Sequence, residues 1–197
     1  MARPQQYNKE KVTDQAMHLF WKQGYQATPV SDLVKVTGVR PGSLYSAYGN
    51  KEGLLLAALE HYTNELEISV RQHINNSITA KEGVESLMQN MIYEATDSSS
   101  SDGCLLINTL LEMSGLNDNV CNLVSQLLVR MEQCFTEVLE RAKAEGDLSQ
   151  EADCEQLAIF LMGIVWSLKV MSRLSPESWR MQALLTPAMK GMFARGC

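Results

Sequence analysis

Apolar residues recur three or four positions apart along almost the whole chain, and no stretch alternates with a period of two, so the pattern predicts an all-α fold of about nine helices. A first helix is expected from about Asn8 to Gln23, with Val12, Ala16, Leu19 and Phe20 on one face and Gly24 at its end. Thr28 can cap a second helix that has Pro29 in its first position and Leu33 and Val34 inward, and Gly38 stops it after Thr37. Val39 then plugs the core, and Pro41 opens a short third helix reaching Tyr48. Asn50 caps a long fourth helix with Leu55, Leu59, Tyr62 and Leu66 on one stripe.

The same period continues in Ala80 to Ala95, through Val84, Leu87, Met88 and Met91, before the polar run Thr96 to Asp102 reads as a loop. Gly103 to Met113 is a short apolar helix, and Asn117 to Glu145 a long one stopped by Gly146. Gln150 to Arg173 is apolar on nearly all sides in its middle, and Pro176 starts a last helix carrying Met181, Leu184, Leu185, Ala188 and Met192. Three short helices thus stand ahead of a longer helical body, which divides the chain into 1–52 and 53–197.

A chain of 197 residues with 45% hydrophobic and 20% charged residues has the composition of a folded domain. Its net charge of −6 is unevenly spread. Met1 to Glu52 carries seven bases against four acids, a balance of +3, while the remainder stands at −9, so only the first quarter suits a phosphate-bearing partner. The start MARPQQYNKEK lacks an apolar signal core, which points to the cytoplasm. The most apolar stretch, Leu157 to Val170, is interrupted by Gly163, Ser167 and Lys169 and falls short of the ~20 residues that a bilayer requires, so no membrane is expected.

The five cysteines form no CxxC pair, and the three histidines, His18, His61 and His73, show no metal-finger spacing. They are read as surface or core histidines, and no metal or cofactor is expected. A Gly-rich phosphate loop, GxSxG, HExxH and a Cys/His pair with an orienting acid are all absent, which argues against an enzyme.

Two short helices joined at Gly38, the second opening at Pro41, have the spacing of a helix-turn-helix, whose second helix enters the major groove. The stretch GYQATPVSDLVKVTGVRPGSLYSAYGNKEGLLLAAL, Gly24 to Leu59, resembles the DNA-binding domain of the TetR family. The shared pattern is a Gly-aromatic pair, a Thr cap, a Gly-Val turn, Gly-Ser-aromatic-Tyr, and Lys-Glu opening a long helix. The resemblance implies that Thr28, Tyr45 and Lys51 contact phosphates and that Arg40, Pro41, Gly42, Ser43 and Ser46 lie nearest the bases of a double-stranded operator. Arg40 can present a bidentate fork to guanine, and Gly42 lets the backbone approach closely. Ala47 departs from the aromatic that many family members have there. Arg3, Lys9 and Lys11 form either an arm on the DNA or a solvated tail.

One such module makes few phosphate contacts, so a homodimer on a palindromic operator is expected. The last two helices are its predicted interface, through Ala158, Leu161, Gly163, Ile164, Val165 and Leu168 together with Met181, Leu185 and Met192, in agreement with the four-helix dimers of the family. Eleven methionines with Trp166 and Trp179 can pack a core or line a pocket. Cys104, Asn108 and Glu112 fall four apart on one side of the sixth helix; that side is either solvated or a polar patch of an effector cavity. The apolar residues Leu105, Leu106, Ile107, Leu110 and Leu111 around the rest of the helix favour the cavity.

With Asp102 as cap, Cys104 would stand in the first turn, where the helix dipole favours thiolate and reactivity, and Lys169 could face it. GCLLIN, Gly103 to Asn108, resembles a TetR subgroup that includes electrophile-responsive repressors. Against this stand the Asp102 carboxylate and the usual inertness of a cysteine in an apolar helix. The expected function is a TetR-type repressor released by a small-molecule or electrophile signal; the alternative is a helix-turn-helix protein in an architectural or adaptor role without an inducer.

Overall fold

The computed structural model describes residues 7–96, 102–174 and 177–193, and Arg3, Pro176, Cys197 and most of the Ser-rich loop lie outside them. Among the described residues there is no strand. The helices are α1 (Lys9–Gln23), α2 (Val30–Thr37), α3 (Pro41–Tyr48), α4 (Lys51–Asn75), α5 (Ala80–Thr96), α6 (Leu105–Met113), α7 (Asp118–Ala144), α8 (Cys154–Leu174) and α9 (Ser178–Met192). The all-α expectation holds, and most boundaries fall where the apolar period and the caps place them.

Three helix starts differ for local chemical reasons. The Thr28 side chain does not cap α2: its hydroxyl donates back to the Gly24 carbonyl at 2.6 Å, and Pro29 takes the cap position. The expected helix from Gln150 begins at Cys154, because Ser149 to Ala152 closes a turn and the Asp153 carboxylate accepts the Gln156 N–H at 3.0 Å. The sixth helix begins at Leu105, because Gly103 takes φ +74°, outside the right-handed helical region, so Cys104 precedes the helix instead of standing in its first turn.

The chain forms two compact units, Met1–Glu65 with Leu105–Leu127, and Leu66–Cys104 with Leu128–Cys197. In the first, α1 packs on α2 and α6 around Ala16, Met17, Phe20, Leu33, Leu55, Leu59 and Leu106. In the second, α5 packs on α8 and α9, and the core joins Met88, Phe135, Leu139, Leu161, Leu168, Met181 and Leu185.

The α8 residues expected at a dimer interface belong to this core. Ala158, Leu161, Ile164, Val165 and Leu168 are buried within the chain, as are Met181, Leu185 and Met192 of α9. What α8 turns outward is a different row, Ile159, Phe160, Val170 and Leu174, joined on α9 by Trp179, which is 67% exposed and therefore lines no internal pocket. At 21 residues α8 is long and apolar enough to cross a membrane by composition, more than its central stretch alone indicates, yet its inward row packs as protein core.

Candidate nucleic-acid interface

The surface that can meet DNA follows from how little of α3 its own unit needs. Gly38 adopts the left-handed conformation (φ +67°, ψ +8°), its N–H bonds the Val34 carbonyl at 2.9 Å, and the chain turns sharply into Val39, which is buried. Arg40 is extended and Pro41 occupies the first helical position, where a missing N–H costs nothing. Of the eight residues of α3 only Leu44 is fully buried. Arg40, Pro41, Gly42, Ser43, Tyr45 and Ser46 are all exposed, so the six form one continuous outward face at the start of the helix.

Tyr48 holds that face to α1. Its hydroxyl donates to the Lys9 carbonyl at 3.1 Å and accepts from Thr13 Oγ1 at 2.9 Å, while the Lys9 ammonium lies 5.2 Å from its ring centre. Burial pushes the Tyr48 phenol up, so it stays a hydrogen-bond donor. The Tyr7 hydroxyl donates to the Ser43 carbonyl at 3.2 Å, which ties Tyr7, just ahead of α1, to α3. Lys9 and Lys11 are exposed beside it.

The turn between α1 and α2 is built differently from the sequence expectation. Gly24 has φ +82° and ψ +165°, a combination open to glycine alone. The next two amides, Tyr25 N–H and Gln26 N–H, both donate to the Glu112 carboxylate, at 2.9 and 2.6 Å. Lys51 Nζ donates to the Tyr25 carbonyl at 2.5 Å and lies 4.2 Å from the Tyr25 ring centre. Burial holds the Lys51 ammonium below its usual pKa, with Glu112 pulling the other way, and burial raises the Tyr25 phenol. At the head of α4, Asn50 caps through the Gly53 N–H (2.8 Å), and the Glu52 carboxylate accepts from Asn117 and Asn119, both at 2.8 Å.

Thr28 and Lys51, expected on phosphates, are therefore both engaged in this turn, Thr28 with no exposed surface. Glu112, expected in an effector cavity, spends both oxygens on the turn. Its spacing from Asn108 does put the two on one side of α6, but what faces that side is a backbone turn from 86 residues away. Leu111, counted with the apolar remainder of α6, is 74% exposed. Asn108 is half-buried on α6, and Lys169 half-buried on α8. An open groove of about 580 Å³ on α5 and α9, lined by Lys81, Glu85, Gln89, Leu185, Met189 and Phe193 among others, contains none of the expected effector residues.

The thiols separate by environment. Cys104 and Cys121 are half-exposed, whereas Cys134 and Cys154 are buried. Burial raises Cys134, and it pushes Cys154 up to about 11 with help from a bond to Glu140, so neither buried thiol ionises readily.

A family model described as "Tetracyclin repressor-like, C-terminal domain" matches residues 80–186, and one described as "Bacterial regulatory proteins, tetR family" matches residues 12–58. The HTH-type transcriptional repressor ComR of Escherichia coli (strain K12) is 28% identical over 175 residues, covering 87% of this chain and 82% of ComR. An uncharacterized HTH-type transcriptional regulator of Bacillus subtilis, YezE, is 25% identical over 183 residues, 92% of this chain and 94% of its own. A cysteine mutant of the TetR family transcriptional regulator CifR, complexed with 26bp double-strand operator DNA, superposes with a TM-score of 0.83 at 28% identity, covering 97% of this chain and 100% of that one.

Proposed function

The chain belongs to the TetR family of bacterial transcriptional regulators, DNA-binding proteins and not enzymes, and from that premise we propose that it is a homodimeric repressor whose operator grip is released by a thiol-reactive signal. The exposed face of α3 carries the DNA half of this reading. Six exposed residues, Arg40 to Ser43 with Tyr45 and Ser46, stand together at the start of the second helix of a helix-turn-helix, the part that reads base edges in the major groove. Arg40 is the base reader, with Ser43 and Ser46 also nearest the bases, Tyr45 reaches a phosphate, and Gly42 allows close approach. Lys51 adds positive potential from inside the turn. Residues 1–52 hold DNA, and 53–197 serve dimerisation and sensing. The work is done in the cytoplasm, where the DNA is.

Two copies are needed to span a two-fold operator. The outward row of Ile159, Phe160, Val170 and Leu174 on α8, with Trp179 on α9, supports pairing through the last two helices, since a helix apolar on both faces buries one in its own core and the other against a partner. Cys104 is the sensing thiol: half-exposed, it attacks an electron-poor carbon, a C–S bond forms, and the displaced electron pair takes up a proton.

The test is fluorescence anisotropy on duplexes selected from random DNA. Arg40→Ala should weaken the selected operator by about 10- to 100-fold and random DNA far less; equal losses on both remove Arg40 as a reader. A quinone should release the parent but not Cys104→Ser, and equal release of both, or release of neither, ends the thiol reading.

A further inference from the structure

Asp14 and His18 stand one turn apart on α1, His61 and Glu65 one turn apart on α4, and the two pairs meet within the first compact unit. His61 Nε2 lies 3.4 Å from Glu65 Oε1 and 3.8 Å from Asp14 Oδ1, and the three ligand-type atoms of Asp14, His61 and Glu65 all fall within 4.8 Å of one another. Neither carboxylate forms a hydrogen bond with that nitrogen, which is enclosed and has no hydrogen-bond partner. An enclosed ring nitrogen 3.4 and 3.8 Å from two acids and hydrogen-bonded to neither is satisfied by a protonated ring's ion pairs or by a cation that all three groups ligate.

We propose that Asp14, His61 and Glu65 form a binding site for a divalent first-row transition-metal ion of the zinc class. Zinc binds imidazole nitrogen at about 2.0–2.1 Å and carboxylate oxygen at about 2.0–2.2 Å, which in a tetrahedron sets neighbouring ligand atoms about 3.3 Å apart. The observed 3.4 and 3.8 Å are close to that, and side-chain adjustment alone closes the difference. Two carboxylates balance the dication, and the imidazole selects against magnesium and calcium, which take oxygen ligands. His18 Nδ1, 3.3 Å from Asp14 Oδ1 and 3.0 Å from the Asp14 carbonyl, steadies the aspartate from outside, and water completes the coordination. Glu65 and His18 are largely exposed, so the ion enters from solvent, and once bound it braces α1 against α4.

The full-length protein, stripped with a chelator, is titrated with Zn2+ by calorimetry and with Co2+ by visible absorption. One ion per chain is expected, with cobalt d–d bands and no thiolate-to-cobalt charge transfer, and Zn2+ should raise the melting temperature. Asp14→Asn, at a half-exposed position that the fold does not require, should weaken binding at least about 10-fold, and His61→Gln should remove it. If His61→Gln fails to fold, Asp14→Asn and Glu65→Gln decide alone. No binding by the parent, thiolate charge transfer, or affinity unchanged in Asp14→Asn and Glu65→Gln would overturn the site.

Discussion

Gly24 and Glu112 should behave as one energetic unit although 87 positions separate Glu112 from the turn it holds at Tyr25. Glu112→Ala removes an acceptor from two backbone N–H groups bonded at 2.9 and 2.6 Å. Bonds to a charged acceptor contribute roughly 1.5–3 kcal/mol each when enclosed, and because Gln26 is exposed, water recovers part, leaving a loss of about 2 kcal/mol. Gly24→Ala acts twice. Its methyl is forced into a glycine-only conformation, costing about 2 kcal/mol, and its Cβ would stand 3.0 and 3.3 Å from the two Glu112 oxygens, so the carboxylate must give by a few tenths of an ångström, weakening the same two bonds by about 1 kcal/mol. The single variants should therefore lose about 2 and about 3 kcal/mol, and the double variant about 4 instead of 5, a coupling near 1 kcal/mol. Urea denaturation measures the cycle, and hydrogen exchange at the Tyr25 and Gln26 amides, faster in both single variants, localises it. Additivity within about 0.5 kcal/mol, or unchanged exchange at those two amides, would refute the proposed latch.

Phe160→Glu should yield a folded monomer and Ile164→Glu an unfolded chain, since the first faces outward and the second sits in the core; light scattering with circular dichroism separates them, and a normal dimer from Phe160→Glu would move the interface elsewhere. Gly42→Ala adds a Cβ that meets nothing within 4 Å, so helix propensity should raise stability by about 0.5–1 kcal/mol while operator affinity falls; unchanged affinity would remove close backbone approach from the recognition scheme. Glu145 accepts the Ala80 N–H at 2.6 Å and pairs with Arg141 at 2.7 Å, and these bonds, the backbone one foremost, hold its carboxyl below the ordinary 4.5. Its contribution is therefore complete above pH 4.5 and lost as the pH falls through the lowered value, so Glu145→Gln should flatten the acid limb of the stability curve, and an identical limb would show that the carboxylate contributes nothing.

Much of the helical order is legible without coordinates because it rests on neighbours in sequence. Gly38 ends α2, Pro41 opens α3 and Asn50 caps α4 through contacts spanning at most four residues, and the i, i+3, i+4 period marks the inward side of α1, α4 and α5. The α3 face was named from the helix-turn-helix spacing and the family resemblance, and burial of Leu44 alone among the eight residues of α3 leaves those residues exposed. A helix apolar all round offers no such guide. In α8 the sequence supplies two usable rows, and only packing against α5 and α9 decided that Leu161, Ile164 and Leu168 go inside while Ile159, Phe160 and Val170 stay out.

Local patterns determined most of the helices and the caps at Gly38, Pro41 and Asn50, since hydrogen bonds four residues apart and side-chain periodicity depend on sequence distance alone. The tertiary structure decided the partners of polar side chains. Spacing put Glu112 on a side of α6 but could not say that the Tyr25 and Gln26 amides would meet it, nor that Lys51 would turn to the Tyr25 carbonyl, nor that Asp14 and His61, 47 residues apart, would converge. A charged side chain is satisfied by whatever complementary group the packed helices bring within about 3 Å, and that distance is fixed by how apolar faces dock, not by position along the chain.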